Sequence, residues 1–479
     1  MGQSPSSSAK DQEVTKGTQG KGSLSSLLSE HEVEELNQTF RKICQPNKVE
    51  DGFTLPQLQG FIGGKLPSSI VLQLHKEMKV KNIPDEIKIS RNAFVMTMGC
   101  LMNGTVDQQS GLMFSLFADE GTNAVSVGHL SKLIGSLLQS YEEALKTCNQ
   151  MKNWDLVCTP ESNKNFIDLV MRMFSAGGKT TGSPVSKEEF ERWLQQTPLM
   201  QKVFTAVFHL CFVDTSKTPA AAASSDDCSD SSVLFHMPCL PACLDIDWRR
   251  VRSQLHIPTL LILNHHLPRH LQDQWRFCFS SNLHGASFAT LLSHIKNKGP
   301  TVVLVRDTDG NVFGGFASQS WELGPSFVGS SSCFLFSLAP KVGVHEPSGQ
   351  NEHYMYLNID QQTLPNGLGM GGQFDYFGLW INQEFGEGHS RARPKCTTYD
   401  SPQLSSKEDF TIDTVEVWAV GPLPKKPQEE DEDEKKSVLD KNPEAQALLE
   451  LIGKERKSEG LREEDPTADI PAIHEMPTR

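Results

Sequence analysis

The 479-residue sequence has no apolar run near the ~20 residues that a membrane-spanning helix requires. Met1–Ser26 also lacks the apolar segment of a secretory signal peptide. Basic residues are in deficit, with 45 Lys and Arg against 59 Asp and Glu and a formal net charge of −14. A protein that grips nucleic acid needs a basic surface, so no nucleic-acid partner is expected.

Cysteines are present but form no regular framework. Their number, 11, is odd, and they are scattered along the chain, which fits free thiols in a reducing compartment such as the cytosol. Cys239 and Cys243 form a close pair, but no second pair follows at zinc-ligand spacing. We therefore predict no metal site and no cofactor.

Changes in composition divide the chain into segments. A polar leader at 1–23 is too rich in Ser, Gly, Lys and Gln to pack, and apolar spacings of three and four then predict helices. Alternating strand patterns follow a linker rich in Pro, Ala, Ser and Asp. The predicted segments are a disordered leader (1–23), a helical domain (24–212), a linker (213–239), a strand-rich domain (240–420), an acidic linker (421–441), a helix (442–460) and a disordered tail (461–479).

The N-terminus carries a lipidation motif. Met1–Ser6 fits the pattern for N-myristoylation, with Gly2 exposed after removal of Met1 and Ser6 at the small hydroxyl position. The alternative is an unmodified flexible tail. One myristoyl chain gives only marginal membrane binding, and the leader is barely basic, so a second anchoring contact is implied.

The helical segment contains a repeat. A β-branched or aromatic residue is followed by Ser or Thr and, four residues further on, by an apolar residue. This pattern occurs at Phe53, Ile89, Val125 and Val185, with spacings of 36, 36 and 60 residues. In an EF-hand loop such a residue, at position 8, forms the short strand that pairs two loops. We therefore expect a scaffold of paired EF-hand-like units.

The calcium ligands of these loops are missing. Position 1, normally Asp, and position 12, normally a bidentate Glu, depart from the pattern in most loops, and calcium requires 6–8 oxygen ligands. Only the fourth loop keeps a glutamate, Glu189. We therefore predict that the fold is retained without the ion. The residues at position 1 are Pro46, Asn82, Ala118 and Gly178, and those at position 12 are Gln57, Ala93, His129 and Glu189.

The strand-rich segment contains a hairpin and several further strands. Thr301–Val305 is a continuous apolar strand, Asp307–Gly310 is a turn, and Val312–Phe316 returns from it. Trp248–Leu261 and Ser287–Lys296 are predicted to be helical. These patterns indicate a mostly antiparallel sheet with a few helices, arranged as a two-layer sandwich.

This segment resembles the TLDc domain family over its whole length of about 180 residues. Several motifs occur in the family's order, which makes the resemblance specific. They are Leu267-Pro268, Trp275-Arg276, Ser280–Phe288, Phe313–Ala317, Gly329, Cys333–Phe336, Gly367–Gly372, Phe377–Trp380, Thr398-Tyr399 and Val415–Trp418.

The resemblance implies a fold class and a set of partners. The fold is α+β and multidomain: a degenerate EF-hand-like helical half, an antiparallel β-sandwich-type TLDc domain and a C-terminal amphipathic helix. TLDc domains imply binding to the cytosolic sector of the vacuolar proton-pumping ATPase. The added myristoylation motif, EF-hand-like half and short tail resemble the family's mTOR-associated, lysosomal branch. This implies an adaptor in mTOR signalling at the cytoplasmic face of the lysosomal membrane, with a cytosolic pool.

A thiol-dependent antioxidant enzyme is the alternative, because the family is linked to resistance to oxidative stress. Cys278 lies in an apolar strand pattern where a buried, inert thiol is expected. His284 fits a turn or cap better than a catalytic role. The glycine run Gly367–Gly372 lacks the Lys and Ser or Thr that end a phosphate-binding loop. We predict no catalytic residues. The histidines weighed with Cys278 are His256, His265, His266, His270 and His284.

The C-terminal segment predicts a single amphipathic helix. Asn442 is a suitable N-cap and Pro443 follows at the first helical position. Leu448, Leu449 and Ile452 lie on one apolar stripe, and so short a helix is marginal alone in water. The stripe must therefore pack on this protein or dock in a groove of a partner. The three stripe residues are candidate partner-binding residues.

Overall fold

Helices form the first half of the chain. The computed structural model describes residues 27–44, 52–81, 88–119, 124–213 and 240–424. The helices of this half are α1 (Glu30–Cys44), α2 (Leu55–Ile62), α3 (Ser68–Val80), α4 (Arg91–Asn103), α5 (Val106–Phe117), α6 (Val127–Thr147), α7 (Pro160–Val170), α8 (Arg172–Ala176), α9 (Lys187–Gln196) and α10 (Pro198–Phe212).

Four two-residue strands lie between these helices, as in EF-hands. They are β1 (Gly52–Phe53), β2 (Ile89–Ser90), β3 (Val125–Ser126) and β4 (Pro184–Val185). Strand β1 pairs antiparallel with β2, with Phe53 opposite Ile89. Strand β3 pairs in the same way with β4, with Val125 opposite Val185. The predicted repeat is therefore confirmed, with its position-8 residues facing each other in two pairs.

The serine after position 8 explains why a helix follows each of the last three loops. Ser90 Oγ accepts a hydrogen bond from Ala93 N, and Ser126 and Ser186 do the same for the third residue of their helices. Such N-caps contribute ~1 kcal/mol each because they satisfy a backbone N–H that the helix leaves unpaired. The repeat thus encodes a strand followed directly by a capped helix.

Helix α10 joins the two EF-hand-like pairs. Phe212 lies 6.1 Å from Phe94 of the first pair, measured between ring centroids. Phe204 lies 5.5 Å from Phe117 of the second pair. All four side chains are buried, so one helix closes the core of both pairs. This arrangement fixes the helical half as one packed body.

The second half is rich in strands. Its helices are α11 (Ile257–His266), α12 (Ser281–His284) and α13 (Phe288–Ile295), with a 3₁₀ turn at Arg269–Leu271. Its strands are β5 (Ala242–Leu244), β6 (Gln274–Ser280), β7 (Thr301–Asp307), β8 (Val312–Ala317), β9 (Phe334–Ala339), β10 (Gly343–His345), β11 (Tyr356–Asn358), β12 (Gly367–Gln373), β13 (Tyr376–Asn382), β14 (Glu387–His389) and β15 (Asp409–Val420).

The long strand β15 organises this sheet. The strand order is β10-β9-β8-β7-β15-β14-β13-β12-β11, and β6 pairs with both β15 and β5. The β5–β6 pair is parallel, whereas the other strand pairs are antiparallel. The α+β fold class, with a helical first half and an antiparallel strand-rich second half, is confirmed.

The sheet forms two leaves that pack face to face. A Cβ atom on Gly315 of β8 would collide with the side chain of Met370 of β12, and one on Gly378 of β13 would lie 2.9 Å from Leu335 of β9. Glycine at these positions therefore permits the close approach of the two leaves. The buried side chains between them form one apolar cluster.

One predicted helix is wrong over much of its length. Trp248–Leu261 was expected to be helical, but the helix begins at Ile257. The preceding segment is held instead by the buried carboxylate of Glu416, which accepts hydrogen bonds from Ser253 Oγ at 2.5 Å and Gln254 N at 3.0 Å. Tertiary hydrogen bonds therefore override the helical pattern there. The second prediction, Ser287–Lys296, is confirmed as α13.

The two halves share a tryptophan-rich contact. Trp154, in the loop between α6 and α7, lies 5.0 Å from Trp418 and 5.9 Å from Trp248 between ring centroids. Its indole Nε1 donates a hydrogen bond to Pro241 O at 2.8 Å. One apolar cluster runs from the helical half into the sheet half. The described residues up to Leu423 therefore form a single compact unit.

Candidate functional site

The sites predicted at the two ends of the chain lie outside the described residues. Gly2 precedes the first described residue, and Leu448, Leu449 and Ile452 follow the last one. The lipidation site and the partner-binding stripe therefore stay predictions. Among the helices that the structure describes, none is long and apolar enough to cross a membrane.

Two of the position-12 residues of the EF-hand-like loops, Gln57 and His129, make contacts within their own loops. Gln57 Oε1 accepts a hydrogen bond from Thr54 N at 2.8 Å, so it caps its own helix. His129 Nδ1 lies 3.8 Å from Asp119 Oδ2. Within the described residues, no three His, Cys, Asp or Glu side chains are placed to share a metal ion. Gln57 and His129 therefore stabilise the loops to which they belong.

The described cysteines with a perturbed pKa are all less acidic than an ordinary thiol. Burial raises the pKa of Cys211 and Cys243 to about 12. Burial also raises the pKa of Cys278 and Cys396, and at Cys158 the Glu142 carboxylate adds to the effect of burial. Because the thiolate is the reactive form, these five side chains are poor nucleophiles at neutral pH. These five thiols therefore do not supply the reactive cysteine that the antioxidant alternative requires.

His284 is the last residue of α12, and its ring lies against Phe279 and a second histidine. Its Nδ1 accepts a hydrogen bond from Ser280 N at 3.2 Å, and its ring stacks on His294 at 4.3 Å. Burial and the neighbouring His294 lower the pKa of His284. The geometry gives His284 a local structural contact of the kind that the sequence suggested.

The neighbouring histidines have different partners. His265 Nδ1 lies 3.3 Å from Lys202 Nζ, and burial lowers the pKa of His265 to about 4. His266 lies 3.8 Å from Glu346 Oε1. These contacts tie α11 to α10 and to the sheet. The histidines that are close in sequence are therefore divided between separate contacts and do not converge on Cys278.

The glycine run is a strand. Gly367–Gly372 lies in β12, which pairs with β11 and β13. Gly371 and Gly372 have φ of +72° and +81°, a conformation that glycine adopts without strain. A Cβ atom at Gly371 would also press on Tyr399 and Cys396. The run therefore serves strand packing, and no helix N-terminus follows it that could bind phosphate.

A polar cleft of about 400 Å³ lies along β13, β14 and the start of β15. Trp380, His389 and Arg391 line it together with the carboxylates of Glu387 and Asp409. Arg391 pairs with Asp409 at 2.8 Å, and burial lowers the pKa of His389 to about 4. Because His389 is then neutral at pH 7, one guanidinium faces two carboxylates, and the cleft lining has a net negative charge. Sequence reasoning missed this cleft because its lining residues meet only through strand pairing.

An exposed aromatic pair marks the tip of the β12–β13 hairpin. Phe374 and Tyr376 flank Asp375, which adopts a φ of +67° in the turn. Their exposed fractions are 36% and 57%. Phe327 lies behind Phe374, with ring centroids 5.6 Å apart. This is an apolar surface at a turn where a polar residue would be usual, and sequence reasoning did not single it out.

The chain is similar to known proteins over almost its whole length. The TLDc domain family model matches residues 255–421. The mTOR-associated protein MEAK7 of Gallus gallus is 39% identical over 426 residues, which cover 86% of this chain and 87% of that protein. The Homo sapiens protein of the same name is 36% identical over 465 residues, covering 93% of this chain and 97% of that protein.

A second group of relatives shares less of the chain. Oxidation resistance protein 1 of Rattus norvegicus is 29% identical over 188 residues, which cover 37% of this chain and 21% of that protein. The likeness to the first group spans the helical half as well as the sheet half. The likeness to the second is partial.

Proposed function

The chain belongs to the family of the mTOR-associated MEAK7 proteins, which contain a TLDc domain, and we propose that it is a non-catalytic adaptor in mTOR signalling at the lysosomal membrane. The observation that carries this proposal is the length of the likeness. It extends over 93% of this chain and 97% of the human relative. The similarity to these relatives therefore covers both halves of the chain and not the TLDc domain alone.

The proposed partners follow from the segments of the chain. The TLDc domain would bind the cytosolic sector of the vacuolar proton-pumping ATPase, as the TLDc resemblance implies. Association with mTOR or its complex comes from the name of the relatives. Myristoylation of Gly2 would supply the weak membrane contact, and the stripe of Leu448, Leu449 and Ile452 would supply a second contact.

The packing of the helical half against the sheet half supports the adaptor proposal. Helix α10, the Trp154 contact and two hydrogen bonds hold the helical half against the sheet. Asn165 Nδ2 donates to Leu338 O at 3.2 Å, and Arg172 donates to Val342 O at 2.8 Å. In a rigid body with a tether at each end, binding of one tether raises the effective concentration of the other contact.

The antioxidant alternative has weaker support. It rests on a relative whose name refers to oxidation resistance but which shares only 37% of this chain. The described thiols with a shifted pKa are buried and poorly acidic, as at Cys243. A reactive thiol would need a cationic neighbour or a helix N-terminus to lower its pKa.

Affinity purification from lysosomal membranes tests the proposal. The full-length chain should retain subunits of the proton pump's cytosolic sector and mTOR, whereas Gly2→Ala should retain less of both from membranes and show an unmodified N-terminal mass. Recovery of neither partner by the full-length chain would refute the adaptor proposal. Equal recovery by Gly2→Ala, with an unmodified wild-type N-terminus, would refute only the proposed membrane contact through a myristoylated Gly2.

A further inference from the structure

The fourth EF-hand-like loop contains a charged contact at its centre. With Gly178 at position 1, Pro184 occupies position 7 and Glu189 position 12. In a calcium-binding loop the position-7 carbonyl and the position-12 carboxylate both coordinate the ion. Here the same two groups are bridged by one side chain from within the loop, Lys179 at position 2.

The bridging contacts are short and directed. Lys179 Nζ donates to Pro184 O at 2.7 Å and to Glu189 Oε2 at 2.6 Å. The two side chains are 24% and 34% exposed, so the pair is partly shielded from water. The Lys179 ammonium holds the pKa of the Glu189 carboxyl below its usual range, and the backbone N–H of Ser186 adds a hydrogen bond of 2.9 Å.

We infer that the ammonium group of Lys179 takes the place of the calcium ion in the fourth loop. It is a compact cation with three donors, and two of them reach the groups that would hold the ion. Because it is attached to the loop, its binding costs no translational freedom and needs no ion in solution. Gly178, Thr180 and Gly182 then need no carboxylates, because an ammonium group has three donors, whereas calcium takes 6–8 oxygen ligands.

The Lys179 ammonium also stabilises the third loop indirectly, because the third loop is paired with the fourth. Gly128 N donates to Thr181 O at 2.7 Å, and Val127 N donates to Ser183 O at 3.0 Å. These bonds bind the start of α6 to the loop that Lys179 holds. Lys179 thus stabilises the second EF-hand-like pair as a whole, and the pair keeps its form whether or not calcium is present.

A double-mutant cycle in the full chain tests the coupling. Lys179→Met and Glu189→Gln should each lower Tm. The double variant should be at least as stable as the less stable of the two single variants. The coupling should equal roughly threefold to tenfold in the unfolding equilibrium constant. The matched control is the pair Lys187 and Glu191, 3.9 Å apart on α9, for which Lys187→Met and Glu191→Gln should show a coupling near onefold. Additive effects at Lys179 and Glu189 would overturn the inference.

A metal-binding arm tests whether the ammonium occupies the place of the ion. Thr180→Asp with Gly182→Asp adds two carboxylates to Glu189, and a Cβ atom at Gly182 meets no atom within 4 Å. In this background Lys179→Met should create calcium binding, detected by calorimetry and by a rise in Tm. With Lys179 retained, binding should be at least about tenfold weaker. Lys187→Met in the same background is the control and should not create binding. Equal calcium affinity with and without Lys179 would overturn the inference.

Discussion

Replacing Trp154 by alanine should uncouple the helical half from the TLDc sheet. The side chain belongs to the helical half in sequence but is 4% exposed among Trp418, Trp248 and the carbonyl of Pro241. It therefore places an indole ring of the helical half among the aromatic side chains of the sheet half. No helix or strand of its own would be broken by the change, because Trp154 lies in a loop.

The expected cost is large. Truncating a buried tryptophan removes ~3–5 kcal/mol through lost burial and the cavity left behind. Loss of the indole donor leaves Pro241 O without this hydrogen bond, at a cost of ~1–3 kcal/mol. These contributions overlap, so we expect about 4–6 kcal/mol in total. A domain stability of ~5–15 kcal/mol would be substantially reduced, and the loss concentrates where the halves meet.

Chemical denaturation monitored by hydrogen exchange distinguishes uncoupling from a general loss of stability. The parent should unfold its helices and its sheet together, whereas Trp154→Ala should separate exchange in α10 from exchange in β7. The control is Trp321→Ala, which removes a residue 3% exposed within the sheet half, with its Nε1 bound to Thr301 Oγ1 at 2.8 Å. It should destabilise without separating the halves. A single shared transition of α10 and β7 in Trp154→Ala would refute the uncoupling, whether or not its midpoint is lowered.

Three further predictions concern the tether, the ion and the thiols. Gly2→Ala should shift the protein from membranes to cytosol in fractionation without lowering Tm, and unchanged fractionation with an unmodified wild-type N-terminus would contradict it. Calorimetry of the full chain without substitutions should show no calcium binding at micromolar concentrations. EF-hand sensors bind calcium with Kd on the order of 10⁻⁷–10⁻⁵ M, so a binding signal in that range would contradict the assignment of the loop positions. Cys211 and Cys243 should react with iodoacetamide at pH 7.5 on the order of a thousandfold more slowly than free cysteine, because burial raises their pKa to about 12, and rapid labelling of the folded chain would contradict it.

Local patterns explain why much of the fold could be predicted. The spacing of Phe53, Ile89, Val125 and Val185 reports a strand followed by a capped helix, and both determinants lie within a few residues of each other. The TLDc strands likewise carry their alternation in consecutive residues. The missing calcium ligands could also be read from position, because each loop position has a fixed chemical role.

Long-range contacts explain what could not be predicted. Trp154 and Trp418 are 264 positions apart in numbering, yet their rings meet. Ser253 and Gln254 leave the helical pattern because Glu416, from the far end of the domain, holds them. Nothing in the sequence predicted a role for Lys179 at position 2, because its ammonium meets Glu189 only in the folded loop. Each case depends on a partner that sequence periodicity does not specify.

Binding of the full-length chain to the purified cytosolic sector of the vacuolar proton-pumping ATPase tests the adaptor proposal most directly. Saturable binding is expected, and Leu448→Asp should weaken it at least about tenfold, since a leucine buried in a groove contributes ~1.5–3 kcal/mol. Ala447→Asp, which adds the same charge on the opposite face of the predicted helix, should leave Kd unchanged. Absence of saturable binding by the full-length chain would contradict the proposal. If Leu448→Asp binds equally well but melts at a lower temperature, the helix packs on its own protein.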